Sequence, residues 1–139
     1  NFGAMKAALD AGEIGKAELL SITSFDPAPP PIAYVKVSGG LFRDMMIHDF
    51  DMANFMMGEA PVTVMATASC IVDPEIGTAG DVDTAVATLT YADGRIAVIK
   101  IRAAQFTAMT NGWNYWGPRD CCRHRTCWKT LSSNQPPMA

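Results

Sequence analysis

Apolar and polar positions along the first hundred residues follow two periods, and proline or glycine marks most of the changes between them. Apolar side chains at helical spacing over 2–11 predict a short amphipathic helix that ends at Gly12. The alternating stretch 18–25, rich in Leu, Ile and Thr, predicts a strand. Residues 26–31 are mostly proline, which lacks an amide donor and fixes φ, so they predict a stiff loop. Composition alone also permits a linker, but apolar residues resume at once, so we expect a pocket wall.

The rest of this region predicts one long helix and a small sheet. The helix begins near Leu41, runs to about Met57 and ends at Gly58. Alternation of apolar and polar residues predicts three strands, over 61–72, 82–91 and 95–100. A turn-forming stretch separates each strand from the next, and the second one is the hairpin signal Asp93-Gly94. At least three strands and one central helix predict an α+β domain with a largely antiparallel sheet.

The long helix carries the best candidates for catalytic residues. Asp44, His48 and Asp51 are spaced i, i+4 and i+7, so a regular helix presents all three on one face. The opposite face is predicted to be apolar and to contain Met46, Ile47, Phe50, Phe55 and Met57. Asp49 is predicted to point away from the ionisable face and to have a structural role. A helix with this division presents a proton-transfer group to a pocket.

Other interpretations of these residues remain open at this point. A lone histidine is most often a satisfied core or surface residue, and carboxylates at helical spacing often form a solvated face. His48 with Asp44 and Asp51 could instead hold a divalent ion for metal-assisted hydrolysis, although common sites recruit a second histidine. A third hypothesis is a non-catalytic oligomerisation module whose sheet packs against a partner. The methionines near His48 are interpreted as core filler.

Composition limits the classes of protein that this chain can belong to. Its 139 residues, 49% of them hydrophobic, suffice for one domain with a core. No apolar run approaches the roughly 18 to 20 residues of a membrane span, and the N-terminal sequence has no signal-peptide pattern, so we expect a cytoplasmic protein without a membrane partner. The chain begins with Asn1, which predicts that an upstream part is missing.

Charge and cysteine are unevenly distributed along the chain. Residues 1–100 hold 6 Lys and Arg against 13 Asp and Glu, a balance of −7, whereas residues 101–139 hold 5 against 1, a balance of +4. A basic tail is typical of nucleic-acid arms, and the tail also holds Cys121, Cys122, His124 and Cys127. However, this cysteine spacing matches none of the usual zinc ligand patterns. We therefore predict neither a metal site nor a nucleic-acid partner.

Residues 101–139 are better interpreted as an out-of-frame tail. Helical and strand periodicity are both lost over 113–125, where all three tryptophans lie close to the cysteines. If the third base of each codon is grouped with the next two bases, residues 112–117 become Val, Leu or Met followed by Glu-Leu-Leu-Gly, with the last four forced by the code. A permitted reading from Lys100 onward is N-S-R-R-A-I-Y-G-Y-D-Q-R-V-E-L-L-G-P-K-G-L-L-S-A, which predicts a strand, a turn and a strand. We infer one lost base near the codon of Lys100, which the nucleotide sequence can test.

The motif G-G-L-F-R-D-M-M-I-H-D-F-D at 39–51 resembles the active-site helix of inositol 2-dehydrogenases in the Gfo/Idh/MocA family of nicotinamide-dependent oxidoreductases. The resemblance spans residues 1–100. It includes G-E-I-G-K-A-E-L-L-S-I-T-S-F-D-P-A-P-P-P, V-S-G-G and A-G-D-V-D-T-A, and the frame-corrected Y-G-Y-D-Q-R is also similar to the family. Several motifs in the same order are far more specific than an isolated D-x3-H-x2-D.

The resemblance implies a fold, and it implies which functions lie on this chain and which lie on a separate Rossmann domain. Residues 1–100 are expected to form an incomplete substrate-binding and oligomerisation domain with an open sheet, and 101–139 to form no domain. The Rossmann domain that binds NAD is expected to be absent, because the chain has no G-x-G-x-x-G fingerprint and no ribose-binding acid. The family's catalytic lysine belongs to that Rossmann part, so this chain alone is expected to be inactive.

The resemblance also implies roles for the helix. It assigns His48 as the catalytic base, Asp44 as the residue that orients it, and Asp51 as an acceptor for substrate hydroxyls. The expected reaction is oxidation of myo-inositol to the 2-keto inosose by NAD, in a homotetramer when the protein is complete. A related sugar or polyol dehydrogenase of the same family is the alternative.

Overall fold

The structure is a computed structural model that describes residues 2–103 and the backbone of 112–116. Its helices and strands, in chain order, are α1 (Phe2–Asp10), β1 (Leu19–Phe25), α2 (Ile32–Ser38), a π-helical turn (Phe42–Met46), α3 (Ile47–Met57), β2 (Thr63–Ser69), α4 (Pro74–Thr78), β3 (Thr84–Thr90), β4 (Ile96–Arg102) and β5 (Gly112–Trp116). The predicted helix 2–11, the proline-rich loop and the strands before residue 103 are confirmed within one to three residues.

The five strands form one open sheet in the order β2-β3-β4-β1-β5. Three of the four pairings are antiparallel, and β1 with β4 is parallel. The predicted α+β class and largely antiparallel sheet are therefore confirmed. The predicted hairpin joins β3 to β4, where Gly94 has φ +86 and its amide donates to the carbonyl of Tyr91 at 3.0 Å.

One face of the sheet packs against the helices to form the core. Along β4 the side chains alternate between buried and partly exposed positions, as a sheet with one covered face requires. The strand core includes Ile22, Leu89 and Ile99, each no more than 1% exposed, and α3 contributes Ala53 and Met56. The helix that carries His48 is thus anchored on the central strands.

The long helix departs from the predicted α geometry in its first turn. Residues Phe42–Met46 form a π turn, which closes i→i+5 instead of i→i+4 and so shifts the phase of the following helix. The predicted apolar face is confirmed for the buried Met46 and Met57 but is wrong for Ile47 and Phe55, which are 51% and 45% exposed. The helix ends at Gly58 as predicted, with φ +77.

Two helices were not predicted. The apolar stretch after the prolines forms α2, and the loop after β2 contains α4. The sequence does carry a signal for α4, because Asp73 is followed by proline at the first helical position and the Asp73 carboxylate accepts from the Glu75 amide at 2.9 Å.

Beyond residue 103 the tail is described only at β5, whose backbone pairs with β1. The backbone of 112–116 thus forms a strand although its side chains follow no strand period. Strand pairing uses backbone groups, so it does not test the reading frame, and the out-of-frame interpretation stays a prediction. The cysteine cluster and His124 lie outside the described residues.

Among the described residues, the helices are all too short or too polar to cross a bilayer. This observation does not test the predicted cytoplasmic location.

A glycine pair reverses the chain between α2 and the π turn. Gly39 and Gly40 have φ +94 and +87, and the carboxylate of Asp81 accepts from the Leu41 amide at 3.0 and 3.2 Å. A Cβ at residue 40 would lie 2.8 Å from Asp81 Oδ1, whereas a Cβ at Gly80 (φ +89) would meet open space. Only glycine therefore satisfies both the backbone and the contact at residue 40.

We predict that Gly40→Ala lowers the free energy of unfolding by about 2 to 4 kcal/mol, because left-handed strain adds to loss of the Asp81 contact. The matched control Gly80→Ala carries the backbone strain alone and should cost about 1 to 2 kcal/mol. Urea unfolding followed by circular dichroism measures both. Equal losses for the two variants would show that the Asp81 contact contributes nothing.

Candidate functional site

A cavity of about 270 Å³ opens where the proline-rich loop, α2 and the helix carrying His48 meet. The polar side chains that line it include three carboxylates, a phenol and an imidazole, namely Asp26, Tyr34, Asp44, His48 and Asp81. Pro30 also lines it, which confirms the prediction that the rigid loop forms a pocket wall. A small cleft with convergent polar groups is the usual form of a ligand site.

The π turn and the start of α3 place two of the predicted site residues in this cavity. Asp44 lies in the π turn and is partly buried, while His48 lies in the first turn of α3 and is exposed. Both line the cavity, as the sequence predicted. Single π turns within helices are frequent at functional sites, because the extra residue redirects side chains.

Asp51 does not join them. Its side chain is exposed on α3, and it is outside the cavity lining that the described residues form. Residues from Ile47 to Met57 keep α geometry, so Asp51, three residues after His48, lies about one turn further along α3. The structure therefore brings Asp44 and His48 together and leaves Asp51 apart from the cavity.

Asp49 lies on the sheet side of α3, as predicted. It is 6% exposed, and one carboxylate oxygen accepts from the Ser24 hydroxyl of β1 at 2.8 Å. Burial raises the pKa of Asp49, while the Ser24 hydrogen bond and the nearby His48 act in the opposite direction. This contact ties the helix to β1 directly beneath His48.

The carboxylates in the cavity influence their neighbours electrostatically. Partial desolvation, and then the negative charge of Asp44, raise the pKa of Asp26 above its usual value. The hydrogen bond that Tyr34 donates to Asp44, at 2.6 Å, raises the pKa of the phenol, and the charge of Asp44 adds to this effect. The cavity is therefore an acidic environment that favours hydrogen-bond donors.

The alternative metal site is not assembled. Across residues 2–103, no three side chains of His, Cys, Asp or Glu are placed to hold a metal ion together. Asp51, one of the three residues proposed for it, lies outside the cavity lining to which Asp44 and His48 belong.

Sequence reasoning missed Tyr34, Asp26 and Asp81 as site residues. Their positions depend on tertiary contacts that no local period reveals, since Tyr34 belongs to a helix that was not predicted and Asp81 lies 40 residues from the amide it caps. The glycine pair was a partial signal, because such a pair often marks a close approach of backbone and ligand or side chain.

Comparison with known proteins identifies the family of the chain. A model of the GFO/IDH/MocA C-terminal domain matches residues 2–117. This chain belongs to that family.

Members of the family that resemble the chain are named as inositol dehydrogenases. It is 57% identical over 99 residues to myo-inositol 2-dehydrogenase of Thermotoga maritima and 52% identical over 99 residues to inositol 2-dehydrogenase of Rhizobium meliloti. Each alignment covers 71% of this chain and 30% of the relative. The chain therefore spans about a third of the length of the curated relatives it matches.

Solved structures of family members have the same fold. A myo-inositol dehydrogenase from Corynebacterium glutamicum matches with a TM-score of 0.79 and 37% identity, over 84% of this chain and 35% of that one. Scyllo-inositol dehydrogenase from Lactobacillus casei, solved with NAD(H) and scyllo-inositol, matches with a TM-score of 0.73 and 27% identity, over 84% of this chain and 36% of that one.

Proposed function

We propose that this chain supplies the proton-transfer and substrate-binding part of an NAD-dependent inositol 2-dehydrogenase, which oxidises myo-inositol to the 2-keto inosose. The observation that carries the proposal is that Asp44 and His48 line one cavity, on a helix anchored to the central strands. Membership of the family and the names of its similar relatives support the same reaction class.

His48 is the proposed base. Oxidation of a secondary alcohol breaks the C–H bond, whose hydrogen leaves as hydride, and the O–H bond, whose proton needs an acceptor. A neutral imidazole suits the proton, because histidine changes charge near neutral pH. Asp44 would orient the imidazole and stabilise its protonated form. The exposure of His48 leaves the ring accessible to a substrate hydroxyl.

The cofactor is proposed to bind outside this cavity. NAD would accept the hydride, but its diphosphate is anionic, and the cavity contains the carboxylates of Asp26, Asp44 and Asp81. The sequence also lacks the glycine-rich fingerprint that binds such a diphosphate. The same carboxylates are suitable acceptors for the hydroxyls of a neutral polyol. We therefore assign the cavity to substrate and place cofactor binding outside these residues.

Asp51 is proposed as a further hydroxyl acceptor on the basis of the family resemblance. Its carboxylate is exposed, about one turn beyond His48 on α3. In that position it could bind only a substrate group that extends out of the cavity.

The test is a complete enzyme in which residues 2–103 replace the matching stretch of the Thermotoga maritima relative, here named the hybrid enzyme. NADH formation, followed by absorbance, would be measured with myo-inositol, scyllo-inositol and a hexose, with the parent enzyme as the control. We expect the hybrid enzyme to oxidise myo-inositol in preference to the hexose. A folded hybrid enzyme that oxidises none of them would refute the proposal.

A second proposal concerns assembly, because no helix among residues 2–103 covers the second face of the sheet. Its exposed apolar side chains include Met65 of β2 at 70%, Val86 of β3 at 41% and Ile96 of β4 at 39%, set among threonines. Lys100 of β4 lies opposite Val86. Large exposed apolar side chains on an uncovered sheet face favour an interaction surface. We propose that this face joins copies of the chain, in the tetramer that the family resemblance implies.

We predict that Val86→Lys disrupts this assembly. A lysine in the middle of the face would bury an unpaired charge in an interface, so association should be lost. Light scattering of the chain should show a species larger than 14.9 kDa, reduced to about 14.9 kDa in the variant. Val37→Lys, on α2 and away from the sheet, is the matched control and should leave the mass unchanged. A monomeric unsubstituted chain would count against the sheet face as an interface.

A further inference from the structure

Tyr34 contributes the one phenol among the described residues that line the cavity described above. Its hydroxyl donates to Asp44 Oδ1 at 2.6 Å, and the side chain is 46% exposed. A hydrogen bond to an ionised acceptor is shorter and stronger than one between neutral groups. The phenol therefore holds one oxygen of Asp44 from across the cavity.

The local fold makes this contact rigid. The amides of Tyr34 and Val35 donate to the carbonyl of Pro31 at 2.8 and 3.1 Å, so α2 begins directly at the proline-rich loop. At its other end, the glycine pair reverses the chain and brings the π turn back beside α2. Tyr34 thus reaches Asp44 from a short helix that is fixed at both ends.

We propose that Tyr34 is a positioning residue, whose phenol fixes the carboxylate of Asp44 so that its second oxygen is available to His48. This inference rests on the proposed function of Asp44 and His48. A carboxylate without this partner rotates about its side-chain torsions, so the imidazole that it orients loses a defined position. Tyr34 acts through Asp44 and does not itself accept the substrate proton.

The first test establishes the contact in the 139-residue chain. Tyrosinate absorbance during alkaline titration reports the ionisation of its three tyrosines, and Tyr34→Phe identifies the contribution of residue 34. Because the hydrogen bond to Asp44 raises the pKa of Tyr34 above 10.0, Asp44→Asn should lower it. An unchanged ionisation of Tyr34 in Asp44→Asn would overturn the inference.

The second test measures the contribution of Tyr34 to catalysis by the hybrid enzyme. Tyr34→Phe removes only the hydroxyl and should lower kcat about tenfold, with KM changed less than twofold. Added to Asp44→Asn, it should cause no further loss, because Tyr34 acts through that carboxylate. Tyr91→Phe is the matched control, because the Tyr91 hydroxyl is buried away from the cavity and has no hydrogen-bond partner among the described residues, so kcat should not change.

Three kinetic results would overturn the positioning role of Tyr34. An unchanged kcat in Tyr34→Phe overturns it, and so does a loss confined to KM, which would make Tyr34 a direct substrate contact. Additive losses with Asp44→Asn also overturn it. His48→Ala separates failure of the proposed function from failure of the role of Tyr34. If His48→Ala keeps full activity, the proposed function is wrong. If His48→Ala is inactive and Tyr34→Phe is fully active, only the role of Tyr34 is wrong.

Discussion

Replacing His48 by alanine in the hybrid enzyme is expected to lower kcat for myo-inositol oxidation by about 10² to 10⁴, the usual contribution of a general base. The ring lies at the cavity and is exposed, so its removal creates no core cavity. The free energy of unfolding should therefore change by less than about 0.5 kcal/mol. NADH absorbance under saturating substrate measures the rate, and urea unfolding measures the stability.

Asn54→Ala provides the matched control for this prediction. Asn54 is also exposed on α3, about two turns beyond His48, and lies outside the cavity lining. Its kcat should equal that of the unsubstituted hybrid enzyme. A similar loss in both variants would mean that the helix surface tolerates no substitution, and the loss in His48→Ala would then carry no information about a base.

The second large effect is expected at Asp83, a buried carboxylate with five donors. The amides of Ile71, Val72 and Asp73 donate to it at 3.0, 2.7 and 2.9 Å. The Thr84 hydroxyl and the Cys70 thiol complete the set, at 2.8 and 3.4 Å. Burial acts to raise the pKa of Asp83, but the three amides and the hydroxyl outweigh it and lower the pKa from 3.8 to about 2.

The direction of the pH dependence follows from this shift. Because the folded pKa lies below the unfolded one, the ionised carboxylate stabilises the fold fully above about pH 4, and the contribution is lost as the pH falls toward 2. Its size is about 2 to 2.5 kcal/mol. The chain should therefore lose about this much unfolding free energy between pH 5 and pH 2 through Asp83 alone.

Asp83→Asn tests this prediction directly. The amide group cannot accept from every donor, so the variant should lose about 3 kcal/mol or more at pH 7 and show a smaller further loss below pH 4. Asp10→Asn, at an exposed carboxylate paired with Lys6 on α1, should cost less than about 1 kcal/mol. An acid profile of Asp83→Asn identical to that of the unsubstituted chain would contradict the assigned role.

Local patterns predicted much of this fold for a physical reason. The alternation of β3 and β4 and the Asp93-Gly94 turn depend on neighbours in sequence, so the hairpin could be predicted from residues alone. The parallel pairing of β1 with β4 could not, because it joins strands about 77 residues apart and no local period specifies the partner. Tertiary packing selects it.

The site shows the same division between local and distant contacts. His48 and Asp44 were predicted because their spacing and the family resemblance are both contained in one short stretch. The π turn was missed, since hydrophobic periodicity assumes a constant number of residues per turn. Tyr34 and Asp81 reach the site from other elements, and no local period in the sequence indicated them.

The central claim is that the imidazole of His48 accepts the substrate proton, and chemical rescue tests it most directly. The measurement is the rate of NADH formation by the His48→Ala hybrid enzyme as imidazole is added at constant pH and ionic strength. The account predicts a rate that is low without imidazole and rises with its concentration, while the Asn54→Ala enzyme does not respond. A rate in His48→Ala that equals the unsubstituted rate without imidazole would contradict it.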